Sequence, residues 1–280
     1  MKKLLSMELK RAVFSPVLWI GCAAIILKNI YKILLSAYGF TIYTTSFLFS
    51  NSGFICIIMA ILLPLHIGHD FEVRTINNKI SAGYSRKQIY LTEGITGGIC
   101  TAFLFLADII SVFVCSALQR LTFSEDIPYS AFLFHAIINF ICLLTISSLY
   151  TMLVMVLHRQ LISIGIVVIL TLSLLSFGGN TVSDLRQPKL WNDPVTQEAE
   201  DNPLYLSGLK RTAANLHLFV SPFAQAAYQP HMLVEPESKE NCSLLLKDLP
   251  YHFEFCMINL LEILLFCQIG IRIFQKQDLK

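Results

Sequence analysis

Hydrophobic residues in this chain are gathered into long blocks. Residues 131–157 contain no Asp, Glu, Lys or Arg, and neither do 47–67 or 161–177. Residues 95–118 are interrupted only by Asp108, and 253–271 carry Glu254 and Glu262. The first block, 12–27, is expected to run on past Lys28 and Lys32 to about residue 35, with both ammonium groups snorkelling to the interface. About 20 mainly apolar residues carry a helix across a hydrocarbon layer of about 30 Å. The pattern therefore predicts six spans, at about 15–35, 47–67, 90–118, 131–157, 161–178 and 251–273. All six are read as helices. Only helices and closed barrels satisfy every backbone group in lipid, and no block alternates as a barrel strand does.

The polar stretches are equally specific. Residues 1–14 read as an amphipathic helix with Leu5, Leu9 and Ala12 on one face and Lys2, Lys3, Lys10 and Arg11 elsewhere, a pattern suited to the membrane interface. Ser15-Pro16 then reads as an N-cap followed by proline at the first helical position. The segment 70–89 leads into the third span and is the most informative. Asp70 is expected to cap a short helix over 71–82, with Val73, Ile76 and Ile80 on one face and Arg74, Asn77, Asn78 and Ser81 largely on others. Gly83 is a helix stop, and Ser85-Arg86-Lys87-Gln88 is a capping box. Residues 179–250 hold most of the proline, asparagine and acid, with nine acidic against six basic residues, and are expected to form a partly ordered external cap.

Composition strengthens the membrane reading. The chain is 55% hydrophobic and 14% charged, with mean hydropathy +0.62, whereas a soluble domain carries roughly a quarter charged residues. A net charge of +2 without a long basic run argues against nucleic acid as a partner. With six spans, the side bearing both termini holds twelve Lys and Arg in its short segments, against Lys28, Lys32 and Arg120 opposite. The positive-inside rule then puts both termini in the cytoplasm. Of the eight cysteines, only Cys242 lies clearly outside a span, and no pair has zinc-ligand spacing.

Candidate chemistry is sparse. Asp108 and Glu262 lie inside spans, where a charge either faces a path or makes an interhelical hydrogen bond. His66, His69 and Asp70 read H-x-x-H-D but fall where the second span ends, without a nearby third ligand in sequence, and are taken as interfacial or capping residues. There is no H-E-x-x-H, no G-x-S-x-G and no G-x-x-x-x-G-K-[ST], so neither an intramembrane hydrolase nor a nucleotide site is indicated. No catalytic, cofactor-binding or metal residue is assigned.

The N-terminal amphipathic helix, the six spans and above all the 70–89 segment resemble the permease subunit of type-2 ATP-binding-cassette (ABC) transporters, bacterial exporter type. In the outer segment, Asn202-Pro203, Tyr205-Leu206-Ser207-Gly208, Lys210-Arg211 and Ser221-Pro222 with Gln225 are similar to Gram-positive permeases of this kind. The resemblance implies an all-α integral membrane protein, one permease domain over 1–280, in the bacterial plasma membrane. It implies export of a hydrophobic or amphipathic substrate. ATP and Mg would sit on a separate cytoplasmic ATPase, with a second permease copy or a related permease completing the path. Between spans two and three the family places the coupling helix, which assigns ATPase contact to Phe71, Arg74, Ile76, Asn77, Ile80 and Arg86. The alternative is a non-transporting scaffold or sensor that binds an envelope complex through 179–250.

Overall fold

The computed structural model describes residues 1–36, 44, 47–119, 121, 129–192, 199–232 and 253–277. Tyr38, Phe40, Tyr43, Arg120, Cys242 and the stretch 233–252 lie outside the described residues. Six helices are long and apolar enough to cross a membrane, so the chain is a multi-pass membrane protein. They are α2 (Pro16–Ser36), α3 (Ser52–Glu72), α5 (Arg86–Leu118), α6 (Tyr129–Leu157), α7 (Gln160–Leu185) and α10 (Phe253–Lys276). The described residues also include four shorter helices: α1 (Lys2–Val13), α4 (Thr75–Ser81), α8 (Gly208–Val220) and α9 (Pro222–Met232).

Each helix starts where its sequence provides for it. Pro16 opens α2. Ser85 caps α5 with the reciprocal pair of a capping box: Gln88 N donates to Ser85 Oγ at 3.3 Å, and Ser85 N to Gln88 Oε1 at 3.1 Å. Gly83, at φ +90°, ends α4; Tyr84 N reaches Lys79 O at 3.2 Å and Gly83 N reaches Ile80 O at 2.9 Å. That is the double bond pattern of a Schellman stop.

The junction of α3 and α4 differs from expectation. The helix expected over 71–82 is divided: α3 continues to Glu72, the chain bends at Val73 and Arg74, and α4 starts at Thr75. Asp70 is thus inside α3 rather than a cap. The cause is on both sides of the bend. Asp70 and Lys79 are tied to each other, and Ile76 is buried, so the chain turns sharply between them. Arg74 takes the strain with φ 57°, a left-handed conformation that costs a non-glycine residue about 1–2 kcal/mol.

The core runs the length of the bundle. α3 and α6 are its most enclosed spans, while α7 and α10 are the most open and present their leucines outward. The described residues include one antiparallel ribbon of β1 (Leu190–Asn192) and β2 (Ala199–Asp201), an addition to the expected all-helical plan. α1, α4 and the end of α10 gather at one end, termed basal; α8 and α9 lie at the other, termed distal. α9 is a plug: Phe223, Ala224, Gln225, Ala226, Tyr228 and Gln229 are all buried against α3, α6 and α7. Gln225 fixes it, accepting from Asn259 Nδ2 of α10 at 2.6 Å and donating to Phe219 O at 2.8 Å.

α7 reaches α9 backbone to backbone at Gly178. A Cβ there would lie 2.7 Å from Ala224 Cα and 2.9 Å from Ala224 N. Gly178→Ala is therefore expected to destabilise the protein by about 1–3 kcal/mol through overpacking. Gly179→Ala, which meets nothing within 4 Å, is the control. Thermal unfolding in detergent checks both: a lower midpoint for the first and none for the second. Equal midpoints would mean that α9 does not seat on α7.

Candidate functional site

At the basal end, six ionisable side chains from four helices meet. α1 gives Glu8 and Arg11, α3 gives His66 and Asp70, α4 gives Lys79 and α5 gives Glu93. The Lys79 ammonium is the centre. Its Nζ lies 2.5 Å from Asp70 Oδ2, 2.7 Å from Glu8 Oε1 and 2.8 Å from Glu93 Oε1. An ammonium has three N–H donors, and here three carboxylates from three different helices surround it. Arg11 closes the other side, 2.7 Å from Glu8 Oε2 and bonded to Asp70.

Local sequence explains the gathering. Glu8 stands between Leu4 and Ala12 at successive four-residue steps, so α1 turns these three toward the bundle and buries them. Leu5 and Leu9 flank a shallow groove with Val13 and Phe14, while Ala12, expected on their face, is buried with Leu4 and Glu8. His66 and Asp70 are likewise four apart on α3, and Lys79 is three residues beyond buried Ile76 on α4.

Charges this deep are stable only when matched. Glu8, Asp70, Lys79 and Glu93 are all at most 4% exposed. The three carboxylates in turn push the Lys79 ammonium well above its ordinary range, outweighing the opposite effect of burial. Burial and the nearby Glu93 carboxylate push Glu8 above the usual carboxylate range, despite Lys79 and Arg11. Glu8, His66 and Glu93 each offer one ligand atom within 4.8 Å of the others, so among the described residues these three could hold a metal ion. His66 Nε2 is 3.7 Å from Glu8 Oε2 and 3.9 Å from Glu93 Oε2. The ammonium among the same carboxylates already supplies positive charge there.

The residues assigned to ATPase contact divide into two groups. Phe71 turns inward and packs edge-on against His158 and Phe274, with centroids 4.7 and 6.3 Å away. Ile76 is buried and Ile80 packs against the core. Arg86 donates to Phe274 O and Gln275 O at 3.1 Å each, and to Gln277 O, so it caps the end of α10, where its charge suits the helix dipole. Arg74 is exposed and Asn77 half-buried, with Asn78 and Ser81 also exposed. Sequence reasoning missed Glu8, Lys79 and Glu93. A signal existed: each is a charge at an apolar position of its helix.

Asp108 is buried and hydrogen-bonded within the bundle. It is 1% exposed, and its Oδ1 accepts from Asn29 Nδ2 at 2.9 Å and Asn51 Nδ2 at 2.7 Å, joining α2, α3 and α5. Glu262, half-buried on α10, has an Oε2 with no hydrogen-bond partner among the described residues. Lys28 and Lys32 turn toward α3 rather than outward. His69 is exposed, and His66 belongs to the cluster. Compared with known proteins, the chain matches no family model and no curated sequence.

The raised Glu8 carboxyl sets the sign of a pH effect. A carboxyl whose folded pKa lies above its unfolded value stabilises the fold below the unfolded value, and that contribution is lost as pH rises through the folded one. The unfolding midpoint should therefore fall as pH rises above the ordinary carboxylate range, and Glu8→Gln should flatten that slope. The same slope in Glu8→Gln would show that Glu8 does not titrate in the fold.

Proposed function

We propose that this chain is the membrane-spanning permease subunit of an ABC transporter, probing its energy source through α4. It exports a hydrophobic or amphipathic substrate across a bacterial plasma membrane, and a separate cytoplasmic ATPase hydrolyses the ATP. The basal end faces the cytoplasm in this reading, in accord with the twelve Lys and Arg of its short segments. The resemblance of the 70–89 segment motivates it.

The observation that supports it best is the anchorage of α4. A loop between two spans needs no helix, and a helix that only covers a surface needs no buried lysine. Lys79 ties α4 to α1, α3 and α5 at once, while Arg74, Asn78 and Ser81 stay exposed on the outer side. A force applied to that outer side is passed to two spans and the interfacial helix together, not absorbed by a flexible loop. Movement of such packed elements as units is how a soluble partner can switch a membrane domain between two states. Two copies, or one with a related permease, enclose the path.

The test is gentle affinity purification of the tagged chain from its native membranes, with mass spectrometry of what accompanies it. A stoichiometric protein bearing a P-loop is expected with the wild type and lost with Arg74→Glu. Arg74→Gly, which relieves the left-handed strain, controls for folding. Absence of any P-loop partner, under conditions that hold a known ABC complex together, would overturn the reading.

A further inference from the structure

A narrow cleft opens between α5, α6 and α10. Gly94 and Gly98 of α5 form one wall, Ile263 and Cys267 of α10 the other, and Ser147 and Ser148 of α6 line it between them. Tyr90 bridges the two walls. Its hydroxyl donates to Phe266 O at 3.3 Å, and its ring lies against Gly270, where a Cβ would collide with it. Gly94 and Gly98 are four residues apart and share a face of α5. Gly98 serves packing, since a Cβ there would lie 3.3 Å from Leu144 Cδ2, but a Cβ at Gly94 would meet nothing within 4 Å. The wall is therefore open at Gly94.

The cleft has a volume of about 250 Å³. An apolar cavity of about 150 Å³ takes up a benzene ring, so this one has room for about ten carbon atoms. A helix, about 10 Å across with its side chains, does not enter it. Its polar feature is Ser147, which is 2% exposed and whose Oγ has no hydrogen-bond partner among the described residues. Thr145 and Thr151 on the same helix each donate to the carbonyl one turn before them, at 3.0 Å. Ser147 makes no such bond. Its Oγ is turned toward α5, where a Cβ at Gly97 would lie 3.2 Å from it. Beside it, Ser148 Oγ lies 3.7 Å from Cys267 Sγ. Lipid brings no water to an unpaired hydroxyl, so leaving one unmatched is costly. An alkyl chain fills the cleft without answering that hydroxyl. A molecule that also carries an oxygen acceptor does both.

We propose that this cleft binds an uncharged amphipathic molecule, its apolar body lying along Gly94 and its hydroxyl or carbonyl oxygen accepting from Ser147 Oγ. That such a molecule is the cargo rests on the permease reading; that it binds does not.

The experiment uses the full-length chain, purified without any ATPase, in nanodiscs of phosphatidylcholine. A diazirine-bearing octanol is added and irradiated, and the labelled residues are mapped by mass spectrometry. Label is expected on the cleft residues of α5, α6 and α10 above the level on the outward leucines of α7. Unlabelled octanol should displace it about fivefold more effectively than octane does, the ratio that one neutral hydrogen bond supplies. Ser147→Ala should bring octanol down to the level of octane and leave the unfolding midpoint unchanged, because its Oγ holds nothing in the fold. Gly94→Leu should fill the cleft and abolish the labelling there. If Gly94→Leu fails to fold, Ser147→Ala alone carries the test. Label spread evenly over the lipid-facing spans, octanol no better than octane on the wild type, or cleft labelling undiminished in folded Gly94→Leu would overturn the proposal. So would dimers seen by native mass spectrometry that Gly94→Leu separates, since the face would then belong to a second copy. With no ATPase present, failure here leaves the permease reading standing, and the loss of that reading leaves this result standing.

Discussion

One ammonium group organises the basal end of this protein. Lys79 has three donors, and three carboxylates meet them, one each from α1, α3 and α5. Replacing such an arrangement with apolar side chains is often neutral or stabilising, so its existence is a weak argument for stability. Its geometric consequence is stronger. A seven-residue helix has too little surface to hold its own position by burial, and α4 buries only Ile76 and Lys79. The charge cluster gives this short helix a fixed place and ties α1 to it. Removing one partner leaves the remainder buried and unmatched, at a cost of about 3–5 kcal/mol. The four helices are therefore bound to move as one body or to separate at considerable cost.

Much of the architecture is legible from the chain. The six spans follow from uncharged runs, because lipid enforces helices wherever water is absent. The capping box at Ser85 and the stop at Gly83 are local rules, and both appear with the expected bonds. Span five was expected to end near 178 but runs to Leu185, since Thr181, Val182 and Leu185 bury against the distal helices. Hydropathy counts water exposure and does not register such burial. α9 was not expected at all. Pro222 and Pro230 look like breakers in sequence, yet one stands at a helix start and the other in the last turn.

The cluster was legible only in part. His66 and Asp70 stood out as polar residues near a span end, but Arg11, which bonds to both, is 55 or more residues away. Amphipathic reasoning grouped Leu5, Leu9 and Ala12 on one face of α1; the face turned to the bundle is Leu4, Glu8 and Ala12, because Glu8 has Lys79 and Arg11 to meet it. The same rule explains the lysines of α2, which turn inward to a ring, a hydroxyl and an amide rather than to the interface. In each case a long-range partner decided where the charge went, and a single sequence does not display such partners. Arg86 shows the reverse: a plausible contact residue by position is occupied in capping α10.

The central claim is that Lys79 fixes α4 to the membrane body. Hydrogen exchange of the α4 amides, compared between the wild type and Lys79→Met in the same detergent, tests it most directly. If 3 kcal/mol or more of anchorage is lost, the α4 amides should exchange about 100-fold faster or more, while the interior of α5 stays protected. Equal exchange of α4 in the two proteins would contradict the account, because the helix would then be held by something other than the lysine.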